Sequence, residues 1–144
     1  MREILFRGKS KDGLRWVYGS LYKEGSQVFI LVGGRFYPEP SNGQSALGIV
    51  DWYEVFPDSI GQFTGLVDRD GERIFEGDIL GFAIRHSSKG TVVYDYSGFS
   101  FVWDEDTARV KKEIKMEWIP TNVSTMWEVI GNIHDNPELL KEQK

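Results

Sequence analysis

The chain has 144 residues, of which 40% are hydrophobic and 14% aromatic, with five Trp, six Tyr and nine Phe. That content suits one domain or two small, intimately packed ones, and it excludes a disordered chain. A net charge of −5 argues against a general binder of phosphate backbones but leaves room for a local basic patch. The absence of cysteine excludes disulfides, thiolate metal sites and cysteine nucleophiles, and fits a reducing cytoplasm. No long apolar run comes after the first charged residues, so no signal peptide is expected, and no stretch approaches the roughly 18 apolar residues that span a bilayer.

In chain order, residues 3–8 alternate as an edge or early strand, and Lys9 to Gly13 form a loop ending in Asp-Gly, a hairpin signal. Arg15 to Tyr22 is the return strand, with Trp16 and Tyr18 on one face and Val17 on the other. Lys23 to Ser26 turns, Gln27 to Val32 is a buried strand, and Gly33-Gly34 turns again. Two prolines, an Asn-Gly and two serines make residues 38–48 an exposed, mobile loop. Ile49 to Phe56 is a strand, and Pro57-Asp58-Ser59 breaks the chain before the next one.

The stretch from Ile60 to Leu80 organises the rest. Asp68-Arg69-Asp70-Gly71 has Asp first and Gly fourth, so the carboxylate can accept from N–H groups further on while Gly supplies a positive φ. Phe63 and Leu66 before it and Ile74 and Phe75 after it read as a hairpin, with Gly71 in a bulge. Glu76-Gly77-Asp78 is a second corner, opening an almost wholly apolar run, Ile79 to Ile84, that suits a strand covered on both faces. Such a corner commonly starts a small, strongly bent barrel.

Beyond it, Ser87 to Gly90 reads as a turn and Thr91 to Asp95 as a strand. Asp95 to Gly98 repeats the Asp-x-x-Gly spacing, and Phe99, Phe101 and Trp103 share one face of the next strand. Residues 104–113 are either a long hairpin tip or a short helix. Ile114, Met116 and Trp118 alternate as a strand, residues 120–124 are loop, and Met126 to Ile130 is the closing strand. Asn136-Pro137-Glu138 starts a short helix with Asn as its cap, docked by Leu139 and Leu140.

Ile60-Gly-Gln-Phe-Thr-Gly-Leu66, Asp68-x-x-Gly71 and Ile74-Phe-Glu-Gly-Asp-Ile79 together resemble the YopX family of phage and prophage proteins. Arg2 to Gly8 is similar to that family's opening strand, and Glu128 to Leu140 to its closing strand and helix; residues 23–55 and 104–124 do not carry the resemblance. The resemblance implies an SH3-like β-barrel core in a bacterial or phage cytoplasmic protein, and it supplies no catalytic residue. The expected architecture is therefore mainly β: an additional N-terminal β-hairpin region over residues 1–58, then the SH3-like barrel with its short C-terminal helix over residues 59–144.

Chemical motifs are sparse. Asp68, Asp70, Glu72, Glu76 and Asp78 invite a calcium reading, but setting Gly71 at the EF-hand glycine puts Leu66 and Gly77 at ligand positions, so a structural turn of Asp68, Gly71, Gly77 and Asp78 is favoured. Pro57-Asp58 with the distant Glu113-Ile114-Lys115 mimics a metal-dependent nuclease pattern, though so short a pattern arises easily by chance. His86 and His134 have no partner at ligand spacing, and no Gly-x-Ser-x-Gly elbow or phosphate-binding Gly-rich loop occurs. No cofactor, metal site or enzymatic activity is expected.

Trp16, Tyr18, Trp52, Tyr53, Tyr94 and Tyr96 remain as a candidate binding surface, although five Trp in a small barrel mostly fill its core. Lys111, Lys112 and Lys115 are more in keeping with a solvated face. The favoured function is a non-catalytic accessory module acting through protein contacts, with a homo-oligomer left open and neither double-stranded DNA nor membrane as partner. The alternative is a nucleic-acid-associated protein, either a single-strand binder or a metal-dependent nuclease.

Overall fold

The structure is a computed structural model. It describes residues 3–33, 37–38, 45–46, 51–82, 85–95, 98–104, 111–115 and 126–141; at 37–38, 45–46, 85–88, 95, 103–104, 111–115 and 141 it describes the backbone alone. Among the described residues the protein is mainly β, with two larger antiparallel sheets, a two-stranded ladder and one short helix. Its contacts divide it into two compact units, residues 4–62, and residues 1–3 with 63–144.

The N-terminal unit is built from β1 (Phe6–Lys9), β2 (Trp16–Glu24), β3 (Gln27–Val32) and β6 (Asp51–Val55), hydrogen-bonded in the order β6-β3-β2-β1. Strand alternation sorts their side chains: Val17, Val28, Ile30 and Val55 form the buried cluster, with Phe6, Val32, Tyr53 and Ile60 packed against it. A two-residue turn, Gly25-Ser26, joins β2 to β3, with Gly25 at a φ of 61° and Glu24 opposite Gln27. The two outer strands meet where Ser10 bridges Val55 and the Lys11 N–H donates to the Glu54 carbonyl at 2.9 Å. The 3-10 turn Pro57–Ser59 comes next, and the Ser59 hydroxyl accepts from the Lys9 N–H at 2.8 Å.

Residues 38–48, expected as loop, contain a short ladder: β4 (Tyr37–Pro38) pairs with β5 (Ser45–Ala46). The two-residue strands leave Pro38 no need of a central-strand donor, which is why a proline is tolerated there. The rest of that segment lies outside the described residues.

The C-terminal unit opens with a hairpin of β7 (Gly61–Val67), whose first two residues pair with β1 inside the N-terminal unit, and β8 (Arg73–Phe75). The second sheet has the order β12-β11-β10-β9-β13, formed by β9 (Asp78–Phe82), β10 (Arg85–Asp95), β11 (Gly98–Asp104), β12 (Lys111–Lys115) and β13 (Trp127–Asn132). β9 lies inside this sheet, and its residues from Asp78 to Gly81 are buried, as the apolar run predicts. Ile74, Leu80, Val92 and Phe101 form the core, with Leu66, Phe99, Trp127 and Val129 against it. The Trp127 ring meets Phe101 edge-on at 4.6 Å and Phe82 at 5.3 Å. Of the two readings of residues 104–113, the ladder supports the hairpin, because Asp104 lies opposite Lys111; residues 105–110 between them lie outside the described residues.

Further expectations need correction. Ser87 to Gly90 is not a turn: β10 runs through it, with a register shift between Arg85 and Lys89. The extra residues are absorbed as a bulge, and Gly90 lies so close to the Phe101 ring and the Val102 carbonyl that an added Cβ would stand 2.5 Å and 2.6 Å from them. The Asn136 carboxamide does not cap the helix α1 (Glu138–Lys141); its oxygen accepts from the Asn132 N–H behind it at 3.2 Å. Leu139 is half-buried while Leu140 is exposed, so only the first docks.

Candidate binding surface

The central motif is occupied with holding the chain. Asp68, buried, accepts with Oδ1 from the Asp70 and Glu72 N–H groups at 2.8 Å and 2.9 Å, and with Oδ2 from the Val129 N–H at 2.9 Å. One carboxylate thus shapes the β7–β8 turn and ties it to β13. Gly71 takes a φ of 83° in that turn. The bulge expected at Gly71 falls earlier: the register shifts between Phe63 and Val67, and Gly65 has a φ of 89°. The Thr64 hydroxyl seals it by donating to the Ile74 carbonyl at 2.8 Å and accepting from the Leu66 N–H at 3.1 Å.

At the next corner Gly77 has a φ of 90°, its N–H donates to the Val92 carbonyl, and its carbonyl accepts from the Ile133 N–H. Asp78, buried, accepts from the Phe75 N–H at 2.7 Å. Among the described residues no group of three or more His, Asp or Glu is placed to hold a metal ion. Asp58 lies in the 3-10 turn and Glu113 to Lys115 lie in β12.

The six aromatics do not gather on one surface. Trp16, Tyr18 and Trp52 share the outer face of the N-terminal sheet. Tyr53 points the other way, against the core cluster, with the Arg15 guanidinium 4.9 Å from its ring centre. Tyr94 belongs to the C-terminal unit, where it is exposed and meets Phe99 edge-on at 4.9 Å. Tyr96 lies outside the described residues.

Two further rings and a leucine complete the outer face of the N-terminal sheet. Tyr22 and Phe29 are cross-strand partners with ring centres 6.4 Å apart, and Phe29 stands 5.2 Å from Trp52. Leu31 lies between Ser20 and Trp52 in the ladder. Tyr22 and Trp52 are 44% and 62% exposed, and Tyr18 is 45% exposed, so this is an outward aromatic row and not a core. At its β1 end the Arg7 guanidinium, buried, sits 4.8 Å from the Trp16 ring centre, and the Lys9 ammonium 5.9 Å from it. Tyr22 was legible in the sequence, because it continues the even-numbered alternation of Trp16 and Tyr18; Phe29 and Leu31 required the β2–β3 register.

The profile of the family described as YopX protein matches residues 5–141. The chain belongs to the YopX family. Among solved structures, this YopX-family chain is similar to protein EF1440 from Enterococcus faecalis, at 25% identity over 97% of this chain and 99% of that one, with a TM-score of 0.62. Among curated proteins none matches.

Proposed function

We propose that this YopX-family protein is a non-catalytic accessory module of phage type that works in the bacterial cytoplasm through protein contacts, and that the outer face of β2, β3 and β6 makes them. The observation that carries this reading is the contiguous row Tyr22, Phe29 and Trp52 on an antiparallel sheet, with Tyr22 and Trp52 exposed and Phe29 half-buried between them. Rings held by cross-strand neighbours present large apolar area at little entropic cost, and aromatic residues dominate protein–protein hot spots. The C-terminal unit is the scaffold: its buried Asp68 and Asp78 satisfy backbone N–H groups, which is structural work. The doubly covered β9, the bulged β10 and the corner at Gly77 support reading residues 59–144 as an SH3-like barrel, with residues 1–58 as an added β region.

Exposed rings also stack on unpaired bases, which keeps single-stranded nucleic acid as the second reading. Affinity capture from bacterial lysate, with and without nuclease, tests the choice. The expected result is a protein retained after nuclease and lost from the Trp52→Ala and Tyr22→Ala variants. Capture that disappears on nuclease treatment would support the second reading instead.

A further inference from the structure

The turn that joins β1 to β2 is tied at its ends and slack in its middle. The Lys11 N–H donates to the Glu54 carbonyl at 2.9 Å and the Leu14 N–H to the Ser10 carbonyl at 3.1 Å. The Arg15 N–H donates to the Ser10 hydroxyl at 3.4 Å, and its carbonyl accepts from the Ser10 N–H at 2.8 Å. Between these anchors lies the peptide unit from Asp12 to Gly13. Among the described residues neither the Asp12 carbonyl nor the Gly13 N–H has a hydrogen-bond partner, and the Asp12 carboxylate makes no hydrogen bond or ion pair. Both residues are exposed. Leu14, next in the chain, is held at a φ of 52°.

We propose that Asp12-Gly13 is a site of spontaneous covalent modification, at which Asp12 converts through a cyclic imide to isoaspartate; the proposal is independent of what the outer sheet face binds. The Gly13 nitrogen attacks Cγ of the Asp12 carboxylic acid. A C–N bond forms, the carboxyl C–O bond breaks, and the hydroxyl leaves as water with the proton of the Gly13 amide. Water then adds to the ring carbonyl that was the Asp12 main-chain carbonyl. Its bond to the Gly13 nitrogen breaks, the nitrogen regains a proton, and a new carboxylate is released. One water has left and one has entered, so the product keeps its mass and charge while its main chain runs through the Asp12 Cβ. Ring closure requires the Asp12–Gly13 peptide unit to rotate, and no hydrogen bond holds it. Glycine leaves the attacking nitrogen uncrowded. The added backbone atom also gives slack beside Leu14, whose φ a leucine adopts at a cost.

Asp70-Gly71, the same dipeptide in another exposed turn, shows what the first one lacks. There the Gly71 N–H donates to the Asp68 carbonyl at 3.1 Å, and the Asp70 N–H donates to Asp68 Oδ1 at 2.8 Å. The Gly71 nitrogen cannot swing toward the Asp70 carboxyl without opening the turn that Asp68 holds. Two dipeptides equal in sequence are therefore separated by their hydrogen bonds. The turn also tolerates a substitution that tests the chemistry. A Cβ added at Gly13 would come no nearer than 3.9 Å to another side chain, and Gly13 is not among the glycines at positive φ.

Peptide mapping of the purified full chain, kept warm at neutral pH and sampled over time, tests this. Cleavage after glutamate releases residues 4–24 and 55–72, each with one internal Asp-Gly. The isoaspartyl isomers are separated by chromatography and identified by electron-transfer fragmentation. In the folded protein isoaspartate should accumulate several-fold faster at Asp12 than at Asp70. In guanidinium the two rates should converge, because the hydrogen bonds that shield Asp70 are gone. Gly13→Ala should slow conversion at Asp12 several-fold and leave Asp70 unchanged, with circular dichroism confirming that the variant is folded. No excess at Asp12 in the folded protein, a ratio that denaturant leaves unaltered, or a rate that Gly13→Ala does not lower would overturn the proposal.

Discussion

Asp68 gathers three backbone N–H groups on one buried carboxylate, from Asp70, Glu72 and Val129. Removing the acceptor leaves those donors without their partner in a site that water reaches poorly. Asp68→Ala should therefore cost about 2–4 kcal/mol, and Asp68→Asn roughly half as much, since the amide oxygen still serves the turn. The midpoint of urea unfolding reads both. The same occupancy argues against a calcium site, because Asp68 offers its lone pairs to amides already; calorimetry with Ca²⁺ or Mg²⁺ should show no micromolar stoichiometric binding that depends on Asp70. Gly77 is fixed by φ: at 90°, with both its N–H and its carbonyl engaged, it cannot relax. Gly77→Val should destabilise by about 2–4 kcal/mol, and an unchanged midpoint would show the corner to be ordinary. Leu14 shows the opposite case. It is 63% exposed yet takes a φ of 52°, which a leucine adopts at a cost. Leu14→Gly relieves that cost and loses little burial, so its midpoint should stay level or rise by up to about 1 kcal/mol.

At the scale of elements, the strands whose side chains alternate were legible, and so were the corners whose glycines sit at positive φ. Opposite faces for Val17 and Tyr18 on β2, the turn that ends at Ser26 and the buried run from Ile79 all come from period and turn chemistry. The features that escaped the sequence are set by distant residues. Ser-Ser-Lys-Gly has the composition of a turn, but Lys89 and Gly90 pair with Gly81 and Leu80, and the ladder overrides it. Gly90 is a glycine because Phe101 lies against it, a contact that no local pattern announces. Trp52 and Tyr53 are adjacent in sequence and equally aromatic, and only the register with β3 decides that the first faces out and the second in. Asn136 precedes Pro-Glu as a cap should, yet the Asn132 N–H claims its oxygen. Gly19 marks the same kind of hidden contact in the N-terminal unit, where an added Cβ would collide with the Leu31 carbonyl oxygen. Gly19→Ala should part β2 from β3, and hydrogen exchange should show faster exchange at Ser20 to Tyr22 while the β9 amides keep their protection.

For the molecule as a whole, charge is unevenly distributed along the chain. Residues 63–144 carry most of the acid, and residues 4–62 carry no net charge and the aromatic row. Duplex DNA binding draws on several simultaneous Lys or Arg contacts to phosphate and weakens steeply with salt. Lys11 is paired with Glu54 and Arg73 with Glu3, and Arg7 is buried, so such contacts are few among the described residues. No appreciable duplex binding at physiological salt is expected by fluorescence anisotropy; submicromolar affinity with a steep salt slope would contradict the assignment. The central claim is that the outer face of β2, β3 and β6 meets protein. Oxidative footprinting of Tyr22 and Trp52 in bacterial lysate, before and after nuclease digestion, tests it most directly. Both residues should be oxidised several-fold more slowly than in dilute purified protein, with the protection unchanged by nuclease; full reactivity in lysate, or protection that nuclease removes, would contradict it.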